Sequence, residues 1–141
     1  MNKEEDLSNS VIFPKGQKVE GSLKAVFTGN AWVEMLVTDK KYNCSVYNVT
    51  FEPRARNNWH SHPGGQILLI TGGKGFYQEA GKPARSVKAG DVVEIPPNIK
   101  HWHGATKDSW FTHLGITTNP QAGAAEWFEE VSDQEYNKLE E

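Results

Sequence analysis

Residues 59–75 of the chain read WHSHPGGQILLITGGKG, in which two histidines at alternate positions precede a short apolar run. We interpret the run QILLIT as a strand that ends at a glycine turn, Gly72-Gly73, with a returning strand after it. Residues 90–104 read GDVVEIPPNIKHWHG, so a second pair of alternate histidines follows a strand that two prolines stop. Because residues two apart in a strand point to the same face, each pair can direct both imidazoles into one cavity.

The five histidines of the chain all lie between positions 60 and 113. Four of them form the two pairs, His60 with His62 and His101 with His103, and His113 is the fifth. A lone histidine is most often a surface or hydrogen-bonded core residue, but imidazole is also the commonest metal ligand near neutral pH. Two such pairs in one β-rich segment therefore indicate a metal site.

Short strand patterns separated by turns extend on both sides of these pairs. Residues 24–37 and 110–117 are rich in aromatic and β-branched residues. Residues 44–51 alternate in a way that puts Tyr47 and Val49 on one face. Turn signals at intervals of about eight to twelve residues are typical of a β-sandwich or β-barrel, so we predict an all-β domain.

The C-terminal end carries the one clear helical signal of the sequence. Ser132 and Glu135 form a capping-box pattern, which predicts a short helix over residues 133–139. Residues 1–10 are polar and acidic, and we expect a flexible arm there, followed by a single domain over residues 11–141. The length of 141 residues suits one domain with one continuous core.

The composition argues against several classes of protein. The formal net charge is −3, with both signs scattered and no basic stripe, so we expect no nucleic-acid partner. No apolar run reaches the roughly 18 residues of a membrane span, which predicts no membrane association. The N-terminus resembles neither a secretory signal nor a transit peptide, so we expect a cytoplasmic location. Cys44 is the only cysteine, which excludes an internal disulfide and a cysteine-based zinc cluster.

Both histidine stretches resemble the two sequence motifs of the cupins. In the first motif, a His-x-His pair is followed by a fourth ligand, usually glutamate, and then by a glycine turn; Gln66 stands at the glutamate position here. In the second motif, a glycine, five further residues and a proline precede a histidine, and Gly90, Pro96 and His101 occupy these positions. The resemblance implies the cupin fold, a jelly-roll barrel or double-stranded β-helix, here with a short C-terminal helix.

Four positions depart from the motifs of the family. Arg54 stands where a glycine usually opens the first motif, and Ala105 replaces the asparagine that often ends the second. Asn98 replaces a glycine after the proline of the second motif, although asparagine also tolerates a left-handed turn. None of these changes abolishes a ligand set, but Gln66 in place of glutamate changes the chemistry of the site.

The similarity extends over most of residues 27–136 to a narrower group. The chain resembles the small bacterial cupins that include the manganese-dependent hydroxynitrile lyases, and also cupins that accompany carboxymuconolactone-decarboxylase-like proteins. The segments that carry this resemblance are FTGNAWV, FEPRARNNWHSHPGGQ, GDVVEIPPNIKHWHGA, THLGI and EWFEEVSDQEY. The resemblance implies one divalent metal ion, with Mn as the first choice and Fe, Ni or Zn as alternatives, bound by His60, His62, Gln66 and His101.

The resemblance also suggests roles for residues around the metal. It implies that His103 and His113 lie in the pocket as acid/base candidates, and that Arg56 has a catalytic role beside the first motif. Tyr47 and Val49 would line the substrate pocket if their strand face points inward. The simpler alternatives are a fifth ligand or a hydrogen-bonding role for His103, and a core position for His113. For Arg56 the alternative is an ion pair, and for Tyr47 and Val49 it is core packing.

The neutral ligand set bears on the reaction. Three imidazoles and one amide leave the charge of a divalent ion uncancelled, which favours polarisation of a carbonyl or stabilisation of an alkoxide, enolate or cyanide. We therefore interpret the chain as a metal-dependent lyase- or isomerase-type enzyme for a small molecule, and hydroxynitrile cleavage is the concrete version that the resemblance implies. The alternatives are an iron-dependent dioxygenase and a non-catalytic cupin that binds a small ligand. We also expect a homodimer or higher homo-oligomer, because small cupins commonly pair.

Overall fold

The computed structural model describes residues 12–140 as a β-rich chain with one short α-helix. The predicted arm over residues 1–10 lies outside the described residues. The strands are β1 (Gln17–Lys18), β2 (Phe27–Thr28), β3 (Ala31–Val37), β4 (Cys44–Phe51), β5 (Arg56–Asn57), β6 (His60–Ser61), β7 (Gln66–Glu79), β8 (Arg85–Lys88), β9 (Val92–Ile95), β10 (His101–Ala105), β11 (Phe111–Thr118) and β12 (Glu126–Trp127). Helix α1 is Asp133–Asn137, and 3-10 turns occupy Gly21–Val26, Lys40–Tyr42 and Pro120–Ala122.

The strands pair into two antiparallel layers that share β7. In one layer the order is β1-β3-β4-β11-β7-β9. In the other layer β7 pairs with β8 and β10, and β10 continues to β5 and β2 on one path and to β6 and β12 on another. The curled sheet forms the jelly-roll barrel, so the predicted fold class is confirmed.

Strand β7 runs without interruption from one layer into the other, so the predicted glycine turn at Gly72-Gly73 is wrong. Its first half pairs with β9 and β11, and its second half pairs with β8 and β10. Gly73 has a φ of 69°, and a Cβ at this position would lie 1.8 Å from the carbonyl oxygen of Trp110. At Gly73 the strand therefore bends and passes close to the backbone of Trp110, and the chain does not reverse its direction.

Two apolar clusters stabilise the structure. The larger cluster lies inside the barrel, where strands of both layers contribute fully buried side chains, among them Phe51, Leu68, Val93 and Phe111. The smaller cluster packs α1 against the outside of the barrel and contains Trp59, Phe76, Trp102, Val131 and Tyr136. Burial of large aromatic side chains contributes about 2–3 kcal/mol each, so α1 is a firmly attached part of the domain.

Helix α1 begins with the predicted capping box. Ser132 Oγ accepts a hydrogen bond from the backbone N–H of Glu135 at 3.1 Å, which confirms the cap and the short helix. Tyr136 donates its hydroxyl hydrogen to the carbonyl oxygen of Ala105 at 2.6 Å and so ties the helix to β10. No helix within residues 12–140 is long and apolar enough to cross a membrane.

Two positions that depart from the cupin motifs keep the backbone conformation of a glycine. Arg54 has a φ of 74° and Asn98 has a φ of 64°, both in the left-handed region. Such a conformation costs roughly 1–2 kcal/mol for a non-glycine residue, and asparagine tolerates it best. Arg54 has a compensating contact, because its Nη2 donates to Asn137 Oδ1 at 2.6 Å. The turns of both motifs therefore form without their usual glycines.

Candidate metal centre

Four imidazole rings from the two His-x-His pairs meet inside the barrel. His60 in β6 lies opposite His101 in β10 in the antiparallel register, and their ring centroids are 4.2 Å apart. The ring of His62 lies 5.1 Å from that of His60, and the ring of His103 lies 5.5 Å from it. Pairing of the two strands thus converts two short sequence motifs into one cluster of nitrogen donors.

Backbone carbonyl groups set the tautomers of two of these rings. His60 Nδ1 lies 2.8 Å from the carbonyl oxygen of Asn58, and His101 Nδ1 lies 2.8 Å from that of Ile99. A carbonyl oxygen only accepts, so each Nδ1 carries a hydrogen and each neutral ring keeps its lone pair on Nε2. Metal-binding histidines have such a contact almost always, because it orients the ring and raises the basicity of the ligating nitrogen.

Gln66, the first residue of β7, adds an oxygen to the cluster. Its Nε2 donates to the hydroxyl of Tyr47 at 2.6 Å, and its Oε1 faces His101 Nε2 at 3.3 Å. Both facing atoms are acceptors when His101 is neutral, so neither can satisfy the other. A cation bound by both atoms would satisfy them, and imidazole nitrogen with amide oxygen is a suitable donor set for a divalent metal ion.

Burial keeps the four rings neutral near neutral pH. It lowers the pKa of His101 to about 4, and it lowers the pKa values of His60 and His103 well below the usual value, with neighbouring histidines adding to the effect. Burial also lowers the pKa of His62, against a smaller opposing effect of the Gln66 side chain. Neutral imidazole is the form that binds a metal ion, so the cluster needs no deprotonation before binding.

The structure brings together a group of three histidine nitrogens that differs from the predicted ligand set. His60, His101 and His103 each present one ring nitrogen, and these nitrogens lie within 4.8 Å of one another. The predicted set contains His62 in place of His103. His62 Nε2 is buried and has no hydrogen-bond partner within residues 12–140. A buried nitrogen without a partner is unfavourable, and coordination of an ion would remove this cost.

A cavity of about 240 Å³ opens onto the cluster and is mostly apolar. Tyr47 and Val49 line it, so their strand face does point inward. Among the described residues, further apolar lining comes from Leu23, Phe27, Val33, Met35, Phe51 and Trp127. The polar lining comes from Asn57, His60, His62, Gln66, His103 and Thr117. A small, mostly apolar cavity with a few convergent polar groups is the usual form of a small-molecule site.

His103 lies in the cavity wall beside Asn57. Asn57 Oδ1 accepts from the backbone N–H of His103 at 3.0 Å, and Asn57 Nδ2 lies 3.2 Å from Nε2 of the ring. The amide hydrogens favour a ring nitrogen with a lone pair over the imidazolium ion, which carries a hydrogen on both nitrogens. Together with burial, this contact makes His103 a weak base that stays neutral at the edge of the cavity.

His113 lies behind His103 and is not among the described residues that line the cavity. The two ring centroids are 4.8 Å apart, and His113 is fully buried. Burial lowers the pKa of His113 to about 4, against a smaller opposing effect of the Leu114 backbone. Neither ring nitrogen has a well-formed hydrogen bond within residues 12–140. Any role of His113 in proton transfer would therefore act through His103.

Arg56 is held by the C-terminal segment and not by the cavity. Its Nε and Nη2 donate to the carbonyl oxygen of Val131 at 3.2 and 2.7 Å, and Nη2 also pairs with Asp133 at 2.8 Å. The guanidinium carbon lies 4.3 Å from the ring centroid of Tyr136. Arg56 is not among the described cavity residues, so its surroundings correspond to the ion-pair alternative.

Sequence reasoning missed several residues of the cavity wall, among them Trp127 and Thr117. Trp127 in β12 stacks on His60, with ring centroids 4.7 Å apart, because β12 pairs with β6. No local pattern could reveal this contact, since it joins distant parts of the chain. Thr117 lies in β11 on the same face as His113 and Gly115, and the two-residue alternation from His113 is the signal that could have found it.

Residues 47–113 match the cupin domain family. The chain is 44% identical over 91 residues to the (R)-mandelonitrile lyase of Granulicella tundricola, which covers 64% of this chain and 70% of that protein. A cupin-like protein of Thermotoga maritima is 58% identical, with a TM-score of 0.86 over 91% of this chain and 96% of its own. The DMSP lyase DddQ of Ruegeria pomeroyi is similar in fold alone, at 18% identity and a TM-score of 0.64 over 82% of this chain and 58% of its own.

The family match contains both histidine pairs and His113. It also contains Gln66 and all of β7, β9 and β10, the strands of the two motifs. The jelly-roll barrel agrees with the solved structures to which the chain is similar. The chain therefore belongs to the cupin family.

Proposed function

We propose that this cupin is a metal-dependent enzyme of the lyase or isomerase type that acts on a small hydroxylated or carbonyl-containing molecule. Its cofactor would be one divalent ion, with Mn as the first choice and Fe, Ni or Zn as alternatives. Its ligands would be His60, His62, Gln66 and His101. The similarity to an (R)-mandelonitrile lyase supports the reaction class.

One observation carries this proposal, the contact at 3.3 Å between Gln66 Oε1 and His101 Nε2. The two acceptors face each other because their donor atoms are engaged elsewhere, with Tyr47 and with the Ile99 carbonyl group. Gln66 also lines the cavity, so the atoms that would hold an ion are continuous with the space that would hold a substrate. A purely structural barrel gains nothing from such an arrangement.

A divalent ion held by neutral donors supplies Lewis-acid chemistry, since it draws electron density from an oxygen and makes a nearby hydroxyl more acidic. The protein would supply a proton acceptor and an apolar cavity wall. His103 suits the first role because it lines the cavity and is neutral. Its lowered pKa makes it a weak base. Such a base can accept a proton from a hydroxyl whose acidity a bound ion has raised. Phe27 and Val33 in the wall would exclude water from the reacting atoms.

Cleavage of mandelonitrile is a concrete form of this chemistry. His103 would accept the hydroxyl proton of the substrate. The bond between the hydroxyl-bearing carbon and the nitrile carbon would break, and its electron pair would leave with cyanide while the carbonyl group of benzaldehyde forms. The proton would then pass from His103 to cyanide. The products are benzaldehyde and hydrogen cyanide, and the step needs no oxidant or reductant.

The metal content of tag-free protein, purified without added metal, tests the proposal. Plasma mass spectrometry should find about one Mn or Fe per chain. The His60→Ala and His101→Ala variants should lose the metal and keep the circular dichroism spectrum of a folded barrel. His113→Ala is the matched control, because it removes a buried imidazole that is not a proposed ligand, and it should keep the metal.

Turnover is measured as benzaldehyde release from (R)-mandelonitrile. We expect release that a chelator abolishes and that added Mn restores. Unchanged metal content in both ligand variants would show that the ligand set is wrong. A protein that binds none of Mn, Fe, Ni or Zn would contradict the enzyme proposal and leave a cupin that binds a small ligand without turnover.

A further inference from the structure

Three side chains form a hydrogen-bonded chain that ends at the cluster of histidines. Gln66 Nε2 lies 2.6 Å from the Tyr47 hydroxyl, and this hydroxyl lies 2.8 Å from Thr117 Oγ1. An amide NH₂ group only donates, so the Tyr47 oxygen accepts from Gln66, and either hydroxyl hydrogen can complete the contact between Tyr47 and Thr117. With its NH₂ group bound to Tyr47, the amide presents its oxygen to the histidines, where it faces His101.

The barrel has space for the Tyr47 ring because the residue opposite it is a glycine. Tyr47 in β4 pairs with Gly115 in β11, and a Cβ at Gly115 would lie 2.2 Å from Cε2 of the tyrosine ring. The ring therefore lies directly over the glycine, and its hydroxyl reaches the two neighbouring side chains. Burial raises the pKa of the Tyr47 hydroxyl, so the hydroxyl stays protonated at physiological pH.

The amide of Gln66 has two orientations with opposite consequences for a cation. In the observed one, its oxygen faces His101 Nε2. In the reversed one, its NH₂ group would donate to the lone pair of His101 Nε2, which is favourable for the metal-free protein. That orientation would occupy a ligand nitrogen and present hydrogens where a cation needs an oxygen. The Tyr47 hydroxyl can donate as well as accept, so it holds the amide in place in either orientation, and a bound cation would select the orientation with the oxygen toward the histidines.

We propose that Tyr47 is a positioning residue that holds the side-chain amide of Gln66 beside the histidines and accepts from its NH₂ group when the amide oxygen binds a cation. This inference rests on the ligand set proposed above. It assigns to Tyr47 a role beyond lining the cavity, and it gives Thr117 and Gly115 the supporting roles of binding the tyrosine hydroxyl and making room for its ring.

The Tyr47→Phe variant tests the role directly. It keeps the ring and removes the hydroxyl, so it should fold, and loss of a residue that orients a ligand should weaken metal binding by about 10- to 100-fold. The measurement is calorimetric titration of chelator-treated protein with MnCl₂. The matched control is Tyr42→Phe, since Tyr42 is 60% exposed and is not among the described cavity residues. It should bind Mn as the unaltered protein does.

A second background separates positioning from a general structural effect. The carboxylate of Gln66→Glu is attracted to a cation by its charge, so its place beside the histidines depends less on a hydrogen bond with Tyr47. Tyr47→Phe should therefore weaken Mn binding in the Gln66 protein and change it less than threefold in the Gln66→Glu protein. Equal losses in both backgrounds would overturn the positioning role, because a distorted barrel would weaken both alike.

Variants of Thr117 and Gly115 test the supporting roles of these two residues. Thr117→Val removes the hydrogen-bonding partner of the tyrosine hydroxyl and should weaken Mn binding by a smaller factor than Tyr47→Phe, whereas Thr117→Ser keeps a hydroxyl and should bind Mn as the unaltered protein does. Gly115→Ala places a Cβ against the tyrosine ring and should reproduce the effect of Tyr47→Phe. Wild-type affinity in Thr117→Val and Gly115→Ala together would contradict the proposed chain of hydrogen bonds.

Nitrogen-15 NMR of the metal-free protein provides a readout that requires no metal. The side-chain NH₂ resonances of Gln66, assigned with Gln66→Glu, should shift in Tyr47→Phe and remain unchanged in Tyr42→Phe. Resonances that do not respond to Tyr47→Phe would overturn the inference whatever the metal affinity. Absence of Mn binding by the unaltered protein would instead contradict the proposed function, so the two failures are distinguishable.

Discussion

The ring of His113 lies 4.8 Å from the ring of His103, with an angle of 77° between their planes, in the interior of the barrel. His113 is fully buried, and both of its ring nitrogens lack a well-formed hydrogen bond within residues 12–140. A buried polar group without partners costs about 1–3 kcal/mol of stability. A residue that is unfavourable for folding and lies directly behind the proposed base is a candidate for a functional role.

Replacement of His113 by leucine should therefore make the protein more stable and less active. We expect a gain of about 1–2 kcal/mol in the free energy of unfolding, because an apolar side chain of similar size removes the unsatisfied nitrogens. Benzaldehyde release should fall at least tenfold while the metal content stays unchanged. Urea unfolding of chelator-treated protein gives the stability. A loss of stability would show that His113 makes a favourable polar contact in the barrel.

The buried histidines also predict how stability depends on pH in the metal-free protein. The folded-state pKa values of His101 and His113 are lowered to about 4, whereas an unfolded histidine titrates near 6.5. Between these values the unfolded chain binds more protons, so stability is complete above about pH 6.5 and is lost as the pH falls toward 4. Each such histidine contributes a slope of up to about 1.4 kcal/mol per pH unit.

Urea unfolding at several pH values from 4.5 to 7.5 checks this prediction. His113→Leu is the matched variant, because it should reduce the slope by the contribution of one proton. Identical slopes in the two proteins would mean that His113 is already protonated in the folded barrel, in disagreement with its burial.

Much of the histidine cluster follows from local sequence, because alternation in a strand is a local property. The pairs His60 with His62 and His101 with His103 need only extended backbone to share a face, and antiparallel pairing of β6 with β10 brings them together. The capping box of Ser132 likewise depends on residues a few positions apart. These features could be predicted from the sequence.

Features that depend on contacts between distant residues could not be predicted. The depth of His113 behind His103 depends on the pairing of β11 with β4 and β7, and the partner of Arg56 is a carbonyl group near the other end of the chain. The path of β7 through Gly73 is a related case. Glycine is common both in turns and in close backbone contacts, and only the nearby Trp110 carbonyl group decides between them.

Arg56 should matter for the attachment of the C-terminal segment and less for catalysis. Arg56→Met removes both hydrogen bonds to the buried Val131 carbonyl oxygen, so we expect a loss of about 2–4 kcal/mol in the free energy of unfolding. Urea unfolding measures it. Asp133→Asn is the control, because the Asp133 side chain is 79% exposed and its ion pair is screened by solvent, so its effect should be much smaller. A stable Arg56→Met protein that lost only activity would support a catalytic role.

Replacement of Gln66 by glutamate should separate metal affinity from metal reactivity. A carboxylate adds a negative charge at the position of Oε1, so Mn should bind at least tenfold more tightly in a competition with a chelator. The same charge cancels part of the charge of the ion, which should lower the rate of benzaldehyde release at saturating Mn. Gln134→Glu is the matched control, since it adds the same charge at an exposed position of α1 and should change neither quantity. If Gln66→Glu were faster than the unaltered protein, the polarising effect of an uncancelled dication would not limit the reaction, and proton transfer by His103 would be the step to examine.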